Sequence, residues 1–386
     1  MTIASGLPID AAEAVLVGRV WRPDVAGPSV AVVRGDELVD ITRSSPTISD
    51  LCETPDPIAA ARVAGEPLGR LVEILGNTPR ETRDASRPWL LSPVDLQAIK
   101  AVGVTFPVSL LERVIEERAA GSPERAEAMR ADVQRLLGGD IARLRPGSPE
   151  AMALKEVLVR EGMWSQYLEV GIGPDAELFT KAQPLSSVGH LAEVGIGAGS
   201  TWNNPEPEIV LVVSSVGSIV GATLGNDVNL RDVEGRSALL LGRAKDNNAS
   251  ASMGPFVRLF DQGFGLDDVR SAEVRLVIEG ADGYRLEGSS DMGRISRDPA
   301  DLVASTIGPE HGYPDGVALY LGTMFAPVAD RDTPGMGFTH RAGDLVSIGS
   351  PRLGSLINTV VPSARAEPWT FGAGALMRNL AARGLL

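Results

Sequence analysis

The sequence has 386 residues but only one cysteine, Cys52, and three histidines. A single cysteine cannot form an intrachain disulfide or build a cysteine-based metal site. His190, His311 and His340 have no second histidine or cysteine at metal-ligand spacing, so each is predicted to be a surface or hydrogen-bonded loop residue. These absences exclude a disulfide-stapled fold and argue against a zinc site.

Positive charge is also scarce, because 36 lysines and arginines face 50 aspartates and glutamates, for a formal net charge of −14. Aromatic residues make up 4% of the chain, and no basic patch is interleaved with them. Nucleic acids and anionic membranes bind through such patches, so neither is an expected partner. A small anionic substrate would instead be held by a metal ion or by individual lysines and arginines.

No stretch of the sequence approaches the apolar length of a membrane-spanning helix. Residues 1–10 lack the basic and apolar regions of a signal peptide. Together with the single cysteine, which suits a reducing compartment, these features predict a cytoplasmic protein. Gly-x-Gly pieces such as 195–197 lack the strand, helix and acidic residue of a dinucleotide fingerprint, so no nucleotide cofactor is predicted.

Glycine and proline are plentiful, with 43 and 27 residues, which predicts a loop-rich, β-rich α/β fold. Short strands alternate with turns in the first part, and residues 1–93 are predicted to form a small N-terminal mixed α/β domain. Residues 94–386 are predicted to form a second, larger domain. Within it, apolar residues recur every three or four positions in charged runs such as 111–118 and 127–137, which predicts a helical segment over about residues 111–161.

The most informative motif is an acidic pair in an extended segment, Glu206 and Glu208. Side chains at positions i and i+2 of a strand point the same way, so the two carboxylates share one face. Pro205 and Pro207 restrict the backbone to extended conformations, which would hold the pair rigidly. The pattern predicts two preorganised oxygen ligands.

A returning strand would bring a third carboxylate to this pair. Residues 209–213 and 219–224 are predicted to form a hairpin. That hairpin would place Asp227 beside Glu206 and Glu208. Three carboxylates without a nearby histidine or cysteine suit Mg²⁺, Mn²⁺ or Ca²⁺. On spacing alone, a solvated Glu-x-Glu edge strand remains the alternative.

Further motifs follow in order along the chain. They are Glu206-x-Glu208, Gly225-Asn226-Asp227, Lys245, Gly254-Pro255-Phe256, Leu321-Gly322-Thr323, Gly343-Asp344-Leu345-Val346 and Gly354-x-Leu356-x-Asn358. Their order and spacing resemble those of the fumarylacetoacetate hydrolase superfamily, and the resemblance covers most of the chain. Within that superfamily, segments 164–170, 245–250 and 323–327 most resemble the sugar-acid dehydratases, in particular bacterial 2-keto-3-deoxy-D-xylonate dehydratases.

The resemblance implies a β-rich α/β fold of the fumarylacetoacetate hydrolase type, a mixed β-roll with a small N-terminal α/β domain and a helical insertion. It also implies that residues 94–386 are the catalytic domain. It implies a homodimer or homotetramer. It also implies that Glu206, Glu208 and Asp227 hold a Mg²⁺-type ion, and that Lys245 and Thr323 contact the substrate.

One departure from the superfamily bears on the reaction. Its hydrolases carry a histidine and a glutamate that activate water, whereas this chain has Ser109 at the histidine position, three residues before Glu112. A hydroxyl without a basic partner is a poor general base near neutral pH. The substitution therefore argues against hydrolysis of a C–C bond.

The expected activity is dehydration of a 2-keto-3-deoxy sugar acid. A divalent ion chelated by the carboxylate and keto oxygens would stabilise the enolate formed when C3 loses a proton, so that the C4 hydroxyl leaves. A pentonate substrate such as 2-keto-3-deoxy-D-xylonate would give 2,5-dioxopentanoate. An acylpyruvate hydrolase or oxaloacetate decarboxylase of the same superfamily remains an alternative, as does a non-catalytic sugar-acid-binding protein.

Individual roles follow for the polar residues near these motifs. Lys245 is predicted to bind the substrate carboxylate or, with a lowered pKa, to remove the C3 proton; an exposed strand lysine is the alternative. Glu112 is predicted to protonate the departing C4 hydroxyl, unless it is a solvated helix charge. Ser109 could donate to a substrate hydroxyl and Thr323 to the substrate carboxylate.

Arg231 has two predicted roles. It follows Asp227 by four residues and could orient a substrate carboxylate through two parallel hydrogen bonds. A structural ion pair with Asp232 or Glu234 is the alternative. The sequence leaves both roles open.

Overall fold

The computed structural model describes residues 6–120, 122–128, 144–160, 162, 164–325, 329–332 and 337–386. Most of the predicted helical run 127–137 and part of segment 323–327 lie outside these residues. Across the described ranges, no helix combines the length and the apolar character needed to cross a membrane.

The strands are numbered in chain order through the described residues. They are β1 Leu16–Arg22, β2 Gly27–Arg34, β3 Glu37–Asp40, β4 Glu66–Arg70, β5 Trp89–Leu90, β6 Ala98–Gly103, β7 Glu177–Ala182, β8 Glu193–Ile196, β9 Asn203–Asn204, β10 Pro207–Val213, β11 Ile219–Asp227, β12 Asn229–Leu230, β13 Ala251–Leu259, β14 Glu273–Glu279, β15 Arg285–Asp291, β16 Val317–Tyr320, β17 Leu345–Ser350 and β18 Gly354–Pro362.

The helices are mostly short. Those bounded within the described residues are α1 Ile48–Cys52, α2 Pro57–Ala61, α3 Leu71–Gly76, α4 Pro107–Arg118, α5 Pro149–Arg160, α6 Gln166–Ile172, α7 Arg231–Glu234, α8 Leu241–Lys245, α9 Leu266–Arg270, α10 Pro299–Thr306 and α11 Ala373–Ala382. Single 3₁₀ turns lie at Pro23–Val25, Arg80–Thr82, Ala238–Leu240 and Met292–Arg294.

Two mixed sheets form the framework. The larger has the order β4-β3-β2-β1-β13-β11-β10-β16-β6-β7, with β5 paired to β1, and its neighbours are antiparallel except for the parallel pair β16 and β6. The smaller has the order β15-β14-β17-β18-β8, and β12 pairs with β9. The predicted β-rich α/β class is confirmed.

Strand β10 lies between two hydrophobic cores. It has a neighbour on each side and is buried at every position. Its alternate side chains therefore enter different clusters. Ile209 and Leu211 pack with Val274 of the smaller sheet, whereas Val210 and Val212 lie in the cluster that includes the N-terminal strands. Coverage of both faces explains why this strand is a continuous apolar run instead of an alternating one.

The predicted domain boundary at residue 93 falls between β5 and β6. Strand β1 pairs with β13 through Val17 and Val257, so β1 to β4 extend the larger sheet. The division into an N-terminal domain and a catalytic domain stays a prediction. The β-roll description and the helical insertion also stay predictions.

Helix α4 begins at Pro107, four residues before the predicted helical segment. Proline suits the first helical position because its φ is preset and its missing N–H needs no partner there. Leu110 and Val114 pack in a cluster with Leu168 of α6. The polar residues of α4 approach the hairpin of β10 and β11, which Arg113 contacts directly.

The three histidines occupy different environments. His190 is buried, its Nδ1 accepts a hydrogen bond of 3.1 Å from the backbone N–H of Ile357, and burial lowers the pKa of its imidazole to about 4. His340 is also buried, with its Nδ1 3.3 Å from Asp344. His311 is exposed. His190 and His340 are therefore hydrogen-bonded loop residues, and His311 lies on the surface.

We expect the free energy of unfolding to fall on acidification because of His190. The unfolded chain binds this proton near pH 6.5 but the folded chain only near pH 4, so the stabilising contribution is complete above pH 6.5 and is lost as the pH falls toward 4. Between pH 7 and 5, urea unfolding should show the wild type losing about 2 kcal/mol more than His190→Asn, whose side-chain oxygen accepts without titrating. His311→Asn should follow the wild type. Equal losses in wild type and His190→Asn would contradict this assignment.

Candidate metal centre and active site

The predicted hairpin brings the three carboxylates together. Strands β10 and β11 are antiparallel, with Glu208 opposite Gly225. The backbone N–H of Asp227, the last residue of β11, donates to the carbonyl of Glu206 at 3.0 Å. The returning strand extends to residue 227, three residues beyond its predicted end, and so carries Asp227 itself.

Glu206, Glu208 and Asp227 form a buried acidic cluster. Each offers an oxygen within 4.8 Å of the others, and their exposed fractions are 5%, 3% and 1%. Strand β10 has a neighbour on both sides, so the alternative of a solvated edge strand is wrong. The all-oxygen donor set fits a hard divalent cation.

The pKa values of these carboxylates reflect burial first and the charges of their neighbours second. Burial, with repulsion from Asp227 and Glu206, raises the pKa of Glu208 well above its usual value. Burial also raises the pKa of Glu206, although Lys245 opposes it. Burial acts the same way on Asp227, but the ammonium groups of Lys181 and Lys245 outweigh it and lower that pKa. A cluster of this kind requires cations close by.

Lys245 supplies one of these cations from the end of helix α8. Its Nζ contacts Glu206 and lies 3.0 Å from Oδ2 of Asp227, and the side chain is buried. Burial alone would lower the pKa of Lys245, yet the carboxylates raise it. Lys245 is therefore not the exposed strand lysine considered above. The ammonium form favours binding of an anion over the predicted role as C3 base.

Lys181 supplies a second cation, which was not among the residues predicted from the sequence. It lies on β7, is fully buried, and has its Nζ 2.9 Å from Oδ1 of Asp227. The same ammonium group donates to the carbonyls of Val228, at 3.1 Å, and Lys245, and to Oγ of Ser250, also at 3.1 Å. One sequence signal could have indicated this position. Lys181 lies two residues after Phe179 on the same strand, so the two side chains share the inward face.

Glu177, at the start of β7, was also missed. It pairs with Gly103 of β6, where a Cβ would lie only 1.9 Å from Oε2 of the glutamate. The residue is half-buried, and its Oε2 lies against the backbone of Gly103. Burial first, and then repulsion by Glu234, raise the pKa of Glu177 to about 7. A carboxyl group with that pKa exchanges protons readily near neutral pH.

Arg113 of helix α4 reaches into the acidic cluster. Its Nη2 donates to Oε1 of Glu206 at 2.7 Å. Its Nη1 lies 2.7 Å from Glu116 and 2.8 Å from Glu234. No local sequence pattern marks Arg113 as a site residue, because its three partners come from one nearby and two distant parts of the chain.

Arg231 is buried, and its ion pairs are not those predicted from the sequence. Its Nη2 lies 3.5 Å from Glu112, its Nε donates to Glu116 at 2.7 Å, and its guanidinium carbon lies 4.2 Å above the ring of Trp202. The proposed pairing with Asp232 or Glu234 is wrong. Asp232 instead accepts from Ser200 and Thr201, and Glu234 pairs with Arg113.

Glu112, predicted as an acid, is buried on α4 rather than solvated. Ser109 lies on the same helix, and its hydroxyl donates to the carbonyl of Phe106 at 2.9 Å and accepts from the N–H of that residue at 3.3 Å. Ser109 therefore stabilises the start of α4. These contacts do not test the predicted substrate roles of Glu112 and Ser109.

Thr323 follows β16 in a loop whose backbone also binds the candidate metal ligand Glu208. The backbone N–H of Gly322 donates to Oε2 of Glu208 at 2.7 Å. The Thr323 hydroxyl accepts from the N–H of Phe325 at 3.1 Å. The loop thus links β16 to the acidic cluster and places Thr323 beside it.

Two small cavities of about 20 Å³ each adjoin the cluster. Glu206, Ser109, Arg113 and Thr323 line both. Larger cavities of about 290 and 590 Å³ lie elsewhere in the fold and contain none of the three clustered carboxylates. The chemistry of the lining residues, not cavity size, identifies the candidate site.

Comparison by sequence gives two relatives that are named as dehydratases. No protein-family model matches the chain. A stretch of 184 residues, 48% of this chain, is 29% identical to 2-dehydro-3-deoxy-D-arabinonate dehydratase of Saccharolobus solfataricus and covers 58% of that protein. A stretch of 198 residues, 51% of this chain, is 30% identical to the "Probable 2-keto-3-deoxyxylonate dehydratase" of Haloferax volcanii and covers 64% of it. The predicted resemblance to sugar-acid dehydratases is confirmed. The chain matches less than two thirds of the length of either relative.

Solved structures share the fold. The apo form of 2-keto-3-deoxy-D-arabinonate dehydratase matches 90% of this chain and 99% of its own, with a TM-score of 0.60 and 19% identity. The same enzyme complexed with magnesium and 2,5-dioxopentanoate matches 92% and 100%, with a TM-score of 0.57 and 18% identity. A 5-carboxymethyl-2-hydroxymuconate delta-isomerase of Mycobacterium smegmatis matches 90% and 98%, with a TM-score of 0.50 and 18% identity.

We expect Lys181→Met to destabilise the protein by about 3 kcal/mol, because it leaves Asp227 with one cation fewer in a buried cluster. Urea unfolding at neutral pH measures the change. Lys100→Met is the matched control on β6, since Lys100 is partly exposed and donates to the hydroxyl of Thr180. It should cost less than about 1 kcal/mol. Similar losses in the two variants would show that Lys181 does not balance the cluster.

Proposed function

We propose that this protein is a divalent-metal-dependent, Mg²⁺-type dehydratase of a 2-keto-3-deoxy sugar acid. For 2-keto-3-deoxy-D-xylonate or another pentonate derivative, the product would be 2,5-dioxopentanoate. The observation that carries the proposal is the buried cluster of Glu206, Glu208 and Asp227, with Lys245 between two of them, in a fold shared with named dehydratases. The names of the sequence relatives support it. We also propose a homodimer or homotetramer.

The cluster fits the proposed ion. Glu206, Glu208 and Asp227 would hold it through carboxylate oxygens, which hard cations such as Mg²⁺ prefer. When bound, such an ion supplies electrophilic stabilisation of negative charge on the keto oxygen of a 2-keto acid. Magnesium is proposed over Mn²⁺ and Ca²⁺ because a related dehydratase was solved with it.

The side chains around the cavities would bind and orient the acid. Lys245 keeps its positive charge beside the cluster and would pair with the substrate carboxylate. The Thr323 hydroxyl, whose oxygen accepts from Phe325, has its own proton available for the same carboxylate. Ser109, Glu112 and Arg231 line the neighbouring cavity, where the hydroxylated end of the substrate would lie.

Proton transfer is assigned to Glu177 in preference to Lys245. Its carboxylate would take a proton from C3, and its acid form would return a proton to the C4 hydroxyl, which leaves as water. That step creates a double bond between C3 and C4. Transfer of a proton from C5 to C3 then gives an enol, which ketonises to the aldehyde of 2,5-dioxopentanoate. Glu112 remains the alternative donor to the C4 hydroxyl.

The alternative activities have weaker support. A hydrolase needs a base that activates water, and the Ser109 hydroxyl is instead hydrogen-bonded at the start of α4. An oxaloacetate decarboxylase would use the same charge stabilisation without a C4 hydroxyl. A binding protein would not need a carboxyl group with a pKa near 7 next to Gly103, a residue that lines one of the cavities.

We expect the protein to convert 2-keto-3-deoxy-D-xylonate to 2,5-dioxopentanoate when Mg²⁺ is present, and EDTA to abolish this turnover. Product formation can be followed with an aldehyde reagent and by mass spectrometry. Oxaloacetate and an acylpyruvate serve as competing substrates. Faster turnover of oxaloacetate would support the decarboxylase, and tight binding of the deoxy acid without product would support the binding protein.

The two candidate proton donors can be separated by amide substitution. We expect Glu177→Gln to lower kcat by about 100-fold to 10,000-fold while Mn²⁺ affinity stays within about threefold, because the amide cannot exchange a proton. Glu112→Gln should lower kcat by less than about tenfold if it only binds substrate. A larger loss in Glu112→Gln than in Glu177→Gln would reverse the two roles.

A further inference from the structure

The carboxylate of Glu206 is already engaged by donors of the chain itself. Its Oε1 accepts from Nη2 of Arg113 at 2.7 Å and from the amide of Asn229 at 3.1 Å. Its Oε2 contacts Nζ of Lys245. Because a carboxylate oxygen has two lone pairs, Oε1 has no further acceptor position while both donors remain.

Of the two donors at Oε1, Arg113 is the one that an ion bound to this oxygen would displace. A divalent cation repels a guanidinium group but not the neutral amide of Asn229. Arg113 also has other anchors, because its Nη1 lies 2.7 Å from Glu116 and 2.8 Å from Glu234. It can therefore lose the contact with Glu206 and still have two charged partners.

We infer that Arg113 is a positioning residue whose guanidinium competes with the divalent ion for Oε1 of Glu206. In the ion-free protein it neutralises part of the buried negative charge, and ion binding transfers it fully to Glu116 and Glu234. The inference rests on the metal site of the proposed function. It extends that proposal by assigning to one side chain of α4 the balance between ion-free stability and ion affinity.

This role gives two measurable effects of opposite sign. Replacing Arg113 should make the ion-free protein less stable, since the carboxylates lose a partner. The same replacement should make ion binding tighter, since no hydrogen bond to Glu206 has to be broken. A purely structural role would instead weaken both, because a disturbed site binds its ion less well.

Arg231 offers a matched control. It is buried in the same charged network and bonds to Glu116, as Arg113 does, but it contacts none of the three candidate ligands. Arg231→Gln therefore removes one nearby positive charge without removing a competitor for Glu206. Arg113→Lys retains the charge but shortens the side chain. It also removes the guanidinium fork that spans Glu116, Glu206 and Glu234.

The test is a calorimetric titration of the full chain with Mn²⁺. Thermal unfolding of the ion-free protein is measured alongside it. We expect Arg113→Gln to bind Mn²⁺ about tenfold more tightly than the wild type, the scale of one hydrogen bond to a charged group. Arg113→Lys should bind it several-fold more tightly, and Arg231→Gln should stay within about threefold of the wild type. Ion-free Arg113→Gln should also melt at a lower temperature.

Several outcomes would overturn the inference. One is that both Arg113 variants bind Mn²⁺ within twofold of the wild type or more weakly than it. Another is that Arg231→Gln gains as much Mn²⁺ affinity as Arg113→Gln, which would indicate an effect of net charge instead of competition. Arg113→Lys decides the question if Arg113→Gln does not fold. Glu206→Gln is the control for the site itself. If the wild type binds Mn²⁺ no better than Glu206→Gln, both the assignment of the metal site and the proposed function are contradicted.

Discussion

The site depends on the burial of three carboxylates within one hairpin. Glu206, Glu208 and Asp227 are nearly inaccessible to water, so their mutual repulsion is only weakly screened. Lys181 and Lys245 relieve it from β7 and from the end of α8, and both contact Asp227. The cost of holding like charges together is therefore offset by cations from separate elements. Those elements are tied to one another through the same contacts.

The larger sheet makes this arrangement rigid. Strand β10 lies between two apolar cores, so the hairpin cannot shift without disturbing both. The loop after β16 adds a backbone hydrogen bond to Glu208. Helix α4 buries its apolar side against α6 and directs Arg113 to Glu206. The position of the polar groups thus follows from where each element buries its apolar residues.

Local patterns predicted the ligands, and long-range pairing hid their partners. Alternation in a strand and a short turn were enough to bring Asp227 to Glu206, because the hairpin is closed by neighbouring residues. Lys181 and Glu177 reach the site only because β7 pairs with β6 and β6 with β16, and no local signal encodes those pairings. Likewise, Arg231 pairs with Glu116, 115 residues away, and not with its sequence neighbours.

Glu177 and Glu112 lie in different surroundings, which bears on the acid and base roles proposed above. Glu177 has Glu234 as a repelling neighbour, and its pKa rises to about 7, so both of its protonation states are accessible near neutrality. Glu112 instead lies 3.5 Å from the guanidinium of Arg231. Elimination of water needs a group that first takes and then gives a proton. The raised pKa of Glu177 suits that requirement, which is why the proposed proton transfer is assigned to it.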